Sequence, residues 1–376
     1  MSETFYHPGA VDVHVHLREP STNHAENILS GTEAAAYGGY VALADMSNNP
    51  GHPTDSRARS QQKIDLFEQK AVVATGTNAG AQPEFDNVGE LASMAELSLL
   101  LKLYATLTTG NDREYEVSDF AEQIAEWHRS TIAPIAVHAG ADNLEDFIGK
   151  VAGDLRHALH VCHISNRKDL DLVRGAKKRG LPVTAGVTPH HIFKDSHDAF
   201  TEGWFARMQP PLAHQTEAEE LFRALSSGDI DIVETDHAPH TADTKWATEL
   251  ANPNAELDPD HATCFGVPNI EQTLPLLFRQ VKLGTISMER LIDATSGRPA
   301  EILGIKLSKS TKVEWDNTEY RIGDETDLRT GAGWTPFLGK LALGRVRNMT
   351  IGGKTIISDG CLHTPAHLSL TRGSTI

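Results

Sequence analysis

The sequence predicts an α/β fold: a parallel (β/α)8 barrel of the TIM type with a small C-terminal β appendage. Eight short apolar runs, rich in β-branched residues, alternate with longer segments of helical pattern. Strands that alternate with helices form parallel sheets, and eight such units close into a barrel. Polar residues end several of the runs, which is where a barrel places its active site. The eight predicted strands are 11–16, 40–46, 71–76, 99–104, 133–138, 158–163, 181–187 and 230–236.

The first strand, VDVHVH, carries the first indication of chemistry. His14 and His16 lie two residues apart, so in an extended strand both imidazoles point to the same side. Converging imidazoles are typical of a site for a divalent metal such as zinc. For this pair alone, a strand with two half-buried histidines is an equally good interpretation. Arg18 and Glu19 follow at once, where the strand gives way to its loop, and they favour the metal site.

Further polar residues lie in or just after the later strands. A lone histidine or aspartate at a strand end usually has a structural explanation. A barrel, however, brings all the C-terminal strand ends to one face, and chance does not readily place so many such residues there. We therefore expect them to share one site. These residues are Asn48, Lys102, His138, His163 and Asp236.

Lys102 lies inside the apolar run LLLKLY. A buried ammonium group beside a metal is costly and must be neutralised. One route is loss of the proton and reaction with carbon dioxide to give a carbamate, whose two oxygens can bridge two metals. The alternative is a structural lysine that pairs with an acid or reaches solvent, which would leave a mononuclear metal site.

Helical patterns fill the intervals between strands, and a different texture begins near residue 305. There the chain changes to short alternating runs broken by glycine and Asp-Gly, as in small antiparallel sheets. We predict a barrel over 1–304 and a β appendage packed on it over 305–376. The predicted helices are 25–39, 56–70, 120–130, 167–180, 217–228, 269–284 and 287–296.

Composition excludes several classes of partner and location. The 376 residues include 34 basic and 51 acidic ones, so the net charge of −17 disfavours nucleic acid and anionic membranes. The three cysteines form no CxxC pair, which favours a reducing cytoplasm over a disulfide framework. No apolar run reaches membrane-spanning length, and the N-terminus lacks an export signal. We therefore expect a cytoplasmic protein.

The motifs resemble those of dihydroorotases in the cyclic amidohydrolase superfamily, from about residue 8 to the C-terminal SDG. Matching pieces include DVHVHLREP, LKLYATLTT, AVHAG, HVCHIS, VTAGVTPHH and ETDHAPHT. The resemblance implies that Arg18, Asn48 and His240 bind the carboxylate of the substrate. It also implies a binuclear centre of two Zn²⁺ ions, with Lys102 as an N6-carboxylated bridge. The implied metal ligands are His14, His16, Lys102, His138, His163 and Asp236.

The implied activity is the zinc-dependent, reversible closure of N-carbamoyl-L-aspartate to L-dihydroorotate in de novo pyrimidine (UMP) biosynthesis. Two metals would polarise a carbonyl and provide a nucleophile at neutral pH. Asp236 would accept the proton of the attacking water and pass it to the leaving nitrogen. The substrate is thus a small molecule, and a homo-oligomer such as a dimer, or an association with aspartate transcarbamoylase, is the protein partnership to expect. Thr108 and Thr109 lie in a glycine-containing stretch after the fourth strand, where a lid is as good an interpretation as a plain loop.

The chain also departs from the family pattern. Many relatives read HAE after the fifth strand, whereas this chain has His138-Ala139-Gly140, so a supporting carboxylate is missing or supplied elsewhere. MPNT has become MSNN over 46–49, and NPPLR has become QPPLA over 209–213. The chain begins about ten residues before His14, so we expect the N-terminal half of the appendage to be absent and the C-terminal strands to be small or completed differently.

Three other functions share these features: allantoinase, dihydropyrimidinase and a non-catalytic partner protein. Allantoinase and dihydropyrimidinase would keep the metal ligands, but neither is expected to place an arginine two residues after the HxH pair, so Arg18 argues against both. A non-catalytic relative that serves as a partner of aspartate transcarbamoylase would show gaps in the ligand set. The sequence has a candidate at every ligand position.

Overall fold

The computed structural model describes residues 4–376 except 22, 110, 112, 141, 252–263, 324–327 and 364. Its strands are β1 (Thr4–His7), β2 (Ala10–Val15), β3 (Tyr40–Asp45), β4 (Ala74–Ala81), β5 (Ser98–Tyr104), β6 (Ile135–His138), β7 (Leu159–Val161), β8 (Val183–Val187), β9 (Ile232–Val233), β10 (Lys312–Asp316), β11 (Glu319–Arg321), β12 (Leu341–Leu343), β13 (Val346–Ile351), β14 (Lys354–Ser358), β15 (Cys361–Leu362) and β16 (Ser369–Leu370).

Helices lie between the barrel strands and also follow the last of them. They are α1 (Ile28–Tyr37), α2 (Arg57–Lys70), α3 (Leu91–Ala95), α4 (Ala121–Ser130), α5 (Leu144–Ala152), α6 (Arg167–Lys178), α7 (Pro189–Phe193), α8 (Ser196–Glu202), α9 (Gln215–Ser227), α10 (Ala242–Ala251), α11 (Ile270–Lys282), α12 (Met288–Ile292) and α13 (Arg298–Leu303). Among these helices, none is both long enough and apolar enough to cross a membrane.

A parallel barrel of eight strands, β2 to β9 in chain order, forms the centre of the molecule. This confirms the predicted fold. Strand β5, SLLLKLY, is buried along its whole length, as expected for a parallel strand covered on both faces. The first and last strands meet through the backbone, because the His16 N–H donates to the His237 carbonyl at 2.8 Å. The barrel is therefore nearly closed.

The third barrel strand lies further along the chain than predicted. The prediction was 71–76, whereas β4 runs over Ala74–Ala81 with the sequence ATGTNAGA. Because this strand contains threonine, asparagine and glycine, it does not stand out as an apolar run in the sequence. Pairing with both neighbours sets its position, from Ala42 opposite Ala74 to Leu103 opposite Ala81.

The appendage contains a five-stranded antiparallel sheet in the order β1-β10-β13-β14-β15 and a two-stranded antiparallel sheet, β11-β12. The N-terminal strand β1 pairs with β10, so the short segment before the barrel completes the C-terminal sheet. The last strand, β16, returns to the barrel and pairs in parallel with β4. Strands from both ends of the chain thus cross the predicted division at 304/305, and that division stays a prediction.

Candidate active site

The polar residues singled out in the sequence gather at the C-terminal ends of the barrel strands. Each is almost fully buried, with between 0% and 7% of its surface exposed. Their side chains converge because parallel strands all end at one rim of the barrel. The residues are His14, His16, Lys102, His138, His163 and Asp236.

Asp236 is the centre of the first half of the site. Its Oδ1 lies 3.1 Å from His16 Nε2 and 3.4 Å from His14 Nε2. Ligand atoms of His14, His163 and Asp236 all lie within 4.8 Å of one another. Asp236 and His163 both have positive φ, of 45° and 34°, which is uncommon for residues with a side chain. Such local strain is a feature of functional sites.

Lys102 and two histidines form the second half. His138 Nδ1 lies 2.8 Å from His163 Nε2. Lys102 Nζ donates to the Cys162 sulfur at 2.8 Å and lies 5.3 Å from the centre of the Tyr104 ring. Within the described part of the chain, Lys102 has no ion pair with an acid, although it is 0% exposed. The described residues therefore offer no acid that would pair with Lys102, as the structural alternative requires.

The chemistry of these side chains fits a divalent metal. Burial lowers the pKa of His16 and of His138 to about 3, so both imidazoles are neutral, which is the form that binds metals. His16 Nδ1 and His163 Nδ1 are buried and have no hydrogen-bond partner among the described residues. Burial alone would raise the pKa of Asp236, but His14 and His16 outweigh it and lower that pKa. A set of imidazole nitrogens with one carboxylate is typical of zinc.

Arg18 lies beside this cluster with 2% of its surface exposed. None of its three guanidinium nitrogens has a hydrogen-bond partner in the part of the chain that the structure describes. Burial lowers the pKa of Arg18 to about 10, which still leaves the group charged at neutral pH. A buried, charged and unsatisfied guanidinium is expensive without a partner, so this position is suited to an anionic ligand.

Of the other two predicted substrate residues, Asn48 bonds to the loop after β5, and His240 shares a carbonyl partner with that loop. Asn48 Nδ2 donates to the Thr109 carbonyl at 2.7 Å. His240 Nε2 lies 3.0 Å from the Phe265 carbonyl, and Thr109 Oγ1 donates to the same carbonyl at 3.4 Å. Asn48, Thr108 and Thr109 thus line the same cavity as Arg18, and His240 contacts Phe265, which also lines that cavity.

The cavity under this loop is small. Arg18, Asn48, Thr108, Thr109 and Asp236 all line it, and its volume is about 10 Å³. That is room for about one water molecule, whereas ligand pockets usually measure roughly 300–1,000 Å³. An organic ring needs more room than this cavity offers, and the loop that carries Thr108 and Thr109 is part of the wall that would have to move.

We expect the double variant Thr108→Ala, Thr109→Ala to raise KM for the substrate. It removes the Thr109 hydrogen bond to Phe265 and part of the cavity wall, and one such bond is worth about 1 kcal/mol, or roughly fivefold in affinity. Steady-state kinetics would measure the effect. Thr201→Ala is a matched control, because Thr201 is exposed on α8 and its hydroxyl donates only within that helix. Unchanged KM and kcat in the double variant would place the lid elsewhere.

Three buried residues of the site were not singled out in the sequence. Glu234, His160 and Cys162 lie directly beneath the predicted ligands. The two-residue spacing that identified the first histidine pair also relates Glu234 to the predicted ligand Asp236, and it could have found Glu234. His160 and Cys162 lie three residues and one residue before His163, so this spacing does not indicate them.

The amidohydrolase family model matches residues 5–310 of this chain. The chain belongs to the amidohydrolase family. The predicted enzyme class, a hydrolase acting on cyclic amides, is therefore confirmed, and the family implies a metal cofactor.

Relatives of this amidohydrolase include named dihydroorotases. The dihydroorotase of Bacillus cytotoxicus is 31% identical over 384 residues, which cover 93% of this chain and 86% of the relative. Multifunctional protein CAD of Squalus acanthias is 30% identical over 367 residues, or 95% of this chain. The chain spans only 15% of the length of that protein. The predicted resemblance to dihydroorotases is thus confirmed.

Solved structures confirm the fold of the amidohydrolase. The L-hydantoinase (dihydropyrimidinase) of Arthrobacter aurescens superposes with a TM-score of 0.83 at 20% identity and covers 98% of this chain and 88% of its own. An inactive dihydroorotase-like domain of a CAD-like multifunctional protein from Chaetomium thermophilum superposes with a TM-score of 0.74 at 18% identity, over 100% of this chain and 99% of its own. At these identities the likeness concerns the barrel and its appendage.

Proposed function

We propose that this amidohydrolase is a dihydroorotase that interconverts N-carbamoyl-L-aspartate and L-dihydroorotate in pyrimidine biosynthesis. The observation that carries the proposal is the buried Arg18 guanidinium without a hydrogen-bond partner among the described residues, in one small cavity with Asp236 and His16. A guanidinium is a planar fork that matches a carboxylate. A ring amide that carries an acid group would satisfy Arg18 and bring its amide to the histidine cluster.

Two zinc ions are the proposed cofactor. The five ligands on the strand ends would hold them, with Lys102 in its carboxylated form as the bridge. When bound, the pair would polarise the amide carbonyl and lower the pKa of a water molecule. The ligands are His14, His16, His138, His163 and Asp236.

The side chains of the protein would perform the remaining steps. Arg18, with Asn48 and His240, holds the carboxylate of the substrate and so fixes the ring. Asp236 takes a proton from the attacking water, the ring C–N bond breaks, and Asp236 gives that proton to the leaving nitrogen. Closure of the loop that carries Thr109 excludes bulk water. Ring closure follows the same steps in reverse.

Two rival functions have less support. For a dihydropyrimidinase, a buried arginine beside the ligands would face no group on the ring. A non-catalytic partner protein would have no use for a complete ligand set, and all six predicted ligand positions are filled and buried. An association with aspartate transcarbamoylase stays a proposal, which the likeness to a segment of multifunctional proteins supports.

Metal content per chain, measured together with turnover of dihydroorotate, tests the proposed function. We expect two divalent metals per chain and measurable ring opening and closure. Turnover of dihydrouracil or allantoin in place of dihydroorotate would identify another cyclic amidohydrolase. A metal-loaded protein that turns over none of these rings would be a non-catalytic relative.

Lys102→Ala is expected to lower metal occupancy to one ion or fewer and to reduce turnover by about 100-fold or more, since a lost metal ion takes with it several kcal/mol of transition-state charge stabilisation. Elemental analysis and steady-state kinetics measure both effects. Lys194→Ala is the matched control, because Lys194 is equally buried but pairs with Glu202 at 2.6 Å. If Lys102→Ala keeps both metals and near-normal turnover, the carbamate idea is wrong.

A further inference from the structure

Glu234 is a fully buried carboxylate just after β9, two residues before Asp236. Its Oε2 lies 3.3 Å from His14 Nδ1 and 3.3 Å from His160 Nε2. Its Oε1 accepts the backbone N–H of His163. The Glu234 side chain thus contacts one nitrogen from the first barrel strand and two nitrogens from the sixth strand and its end.

The contact with His14 has a consequence for the metal site. One nitrogen of a neutral imidazole carries the hydrogen and the other carries the lone pair, and the partner of one nitrogen decides which. The Glu234 carboxylate lies at ion-pair distance from His14 Nδ1, which has no other partner among the described residues. Its negative charge favours the tautomer with the hydrogen on Nδ1 and the lone pair on Nε2, which lies 3.4 Å from Asp236 Oδ1. Glu234 therefore sets His14 to present Nε2 to the cluster.

Gly186 on the neighbouring strand β8 provides the space that Glu234 occupies. A Cβ added at Gly186 would lie 2.6 Å from Glu234 Cδ and closer still to Oε1, and such contacts do not occur in real side-chain packing. A glycine inside a strand otherwise weakens it, so its position here has a packing reason. His160 is fixed in turn, because Thr184 Oγ1 lies 3.0 Å from its Nδ1.

We propose that Glu234 is a positioning residue for the metal centre, and that it supplies from the eighth barrel strand the carboxylate that His138-Ala139-Gly140 lacks after the fifth. Carboxylates that hold the far nitrogen of a metal-binding histidine fix its orientation and raise its basicity. The inference rests on the proposed metal-dependent function.

Cobalt titration of the metal-free protein tests this role without any assay of activity. We expect Glu234→Gln to weaken Co²⁺ affinity by about 10- to 100-fold and to change the visible absorption of the bound cobalt. Gly186→Ala should act in the same direction, because its methyl group displaces the Glu234 carboxylate without removing a charge. Glu271→Gln is the matched control, since Glu271 is a nearly buried carboxylate that accepts the N–H groups of Arg329 and Thr330 at 3.0 and 3.3 Å.

The outcomes separate this inference from the function on which it rests. A wild-type protein that binds no cobalt would overturn the proposed metal-dependent function itself. If the wild type binds cobalt and both variants bind it equally well, Glu234 has no positioning role and the proposed function stands. An equal loss in Glu271→Gln would mean general destabilisation and would also reject the role. If Glu234→Gln does not fold, Gly186→Ala decides alone.

Discussion

Asp236→Asn is expected to keep at least one metal bound while losing about 10²- to 10⁴-fold in turnover of dihydroorotate, the usual contribution of a general acid–base group. The amide has nearly the shape of the carboxylate, so an oxygen can remain close to His16 and His14. It cannot accept the proton of the attacking water. The expected loss is therefore in kcat, whereas KM stays within a few-fold of the wild-type value.

Metal content and steady-state rates on the same preparation distinguish the proton transfer from simple loss of metal. Asp169→Asn is the matched control, because Asp169 is a buried carboxylate near the start of α6 that accepts a hydrogen bond from Asn166. That variant should retain nearly full turnover. Retention of more than about a tenth of the wild-type rate by Asp236→Asn, with metal bound, would assign the proton transfer to another group.

The barrel could be predicted because its signal is local and repeated. Each strand but one is an apolar run, and burial on both faces of a parallel sheet requires such runs. Strand β4 is the exception, since its small and polar residues are set by pairing with β3 and β5. Strand β1 could not be assigned either, because it pairs with β10 about 300 residues later in the chain. A four-residue segment whose partner lies so far along the chain has no sequence pattern that would identify it as a strand.

The clustering of the proposed ligand residues could be predicted for a related reason. Once the strands are placed, the fold itself brings their ends together, so His138 and His163 need no further signal. The residues that support the ligands follow from packing, as the close fit of Glu234 against Gly186 illustrates. The contacts between Asn48 and Thr109 and between His240 and Phe265 join separate loops. Such contacts cannot be predicted from the spacing of residues in the sequence, because loops have no regular repeat.

The role proposed for Arg18 leads to a prediction about substrate choice. Dihydrouracil is dihydroorotate without its carboxylate, so only dihydroorotate can pair with the buried guanidinium. Leaving such a group without its partner costs about 2–5 kcal/mol, which is roughly 30-fold to several thousandfold in affinity. The wild-type enzyme should therefore discriminate strongly against dihydrouracil. Arg18→Ala should reduce kcat/KM for dihydroorotate by about the same factor as this loss of affinity. The variant should change kcat/KM for dihydrouracil very little.

Measuring kcat/KM for both rings in both proteins separates substrate binding from support of the fold. Arg290→Ala is a matched control, because the Arg290 guanidinium donates to the carbonyls of Leu225 and Ile230, which precede β9 at the end of the barrel away from Asp236. Any loss in that variant should affect both rings alike. Equal losses for the two rings in Arg18→Ala would likewise mean that Arg18 supports the ligands or the strained backbone at its own φ of 54°. Selective loss for dihydroorotate requires contact with the carboxylate, since the two rings differ in that group alone.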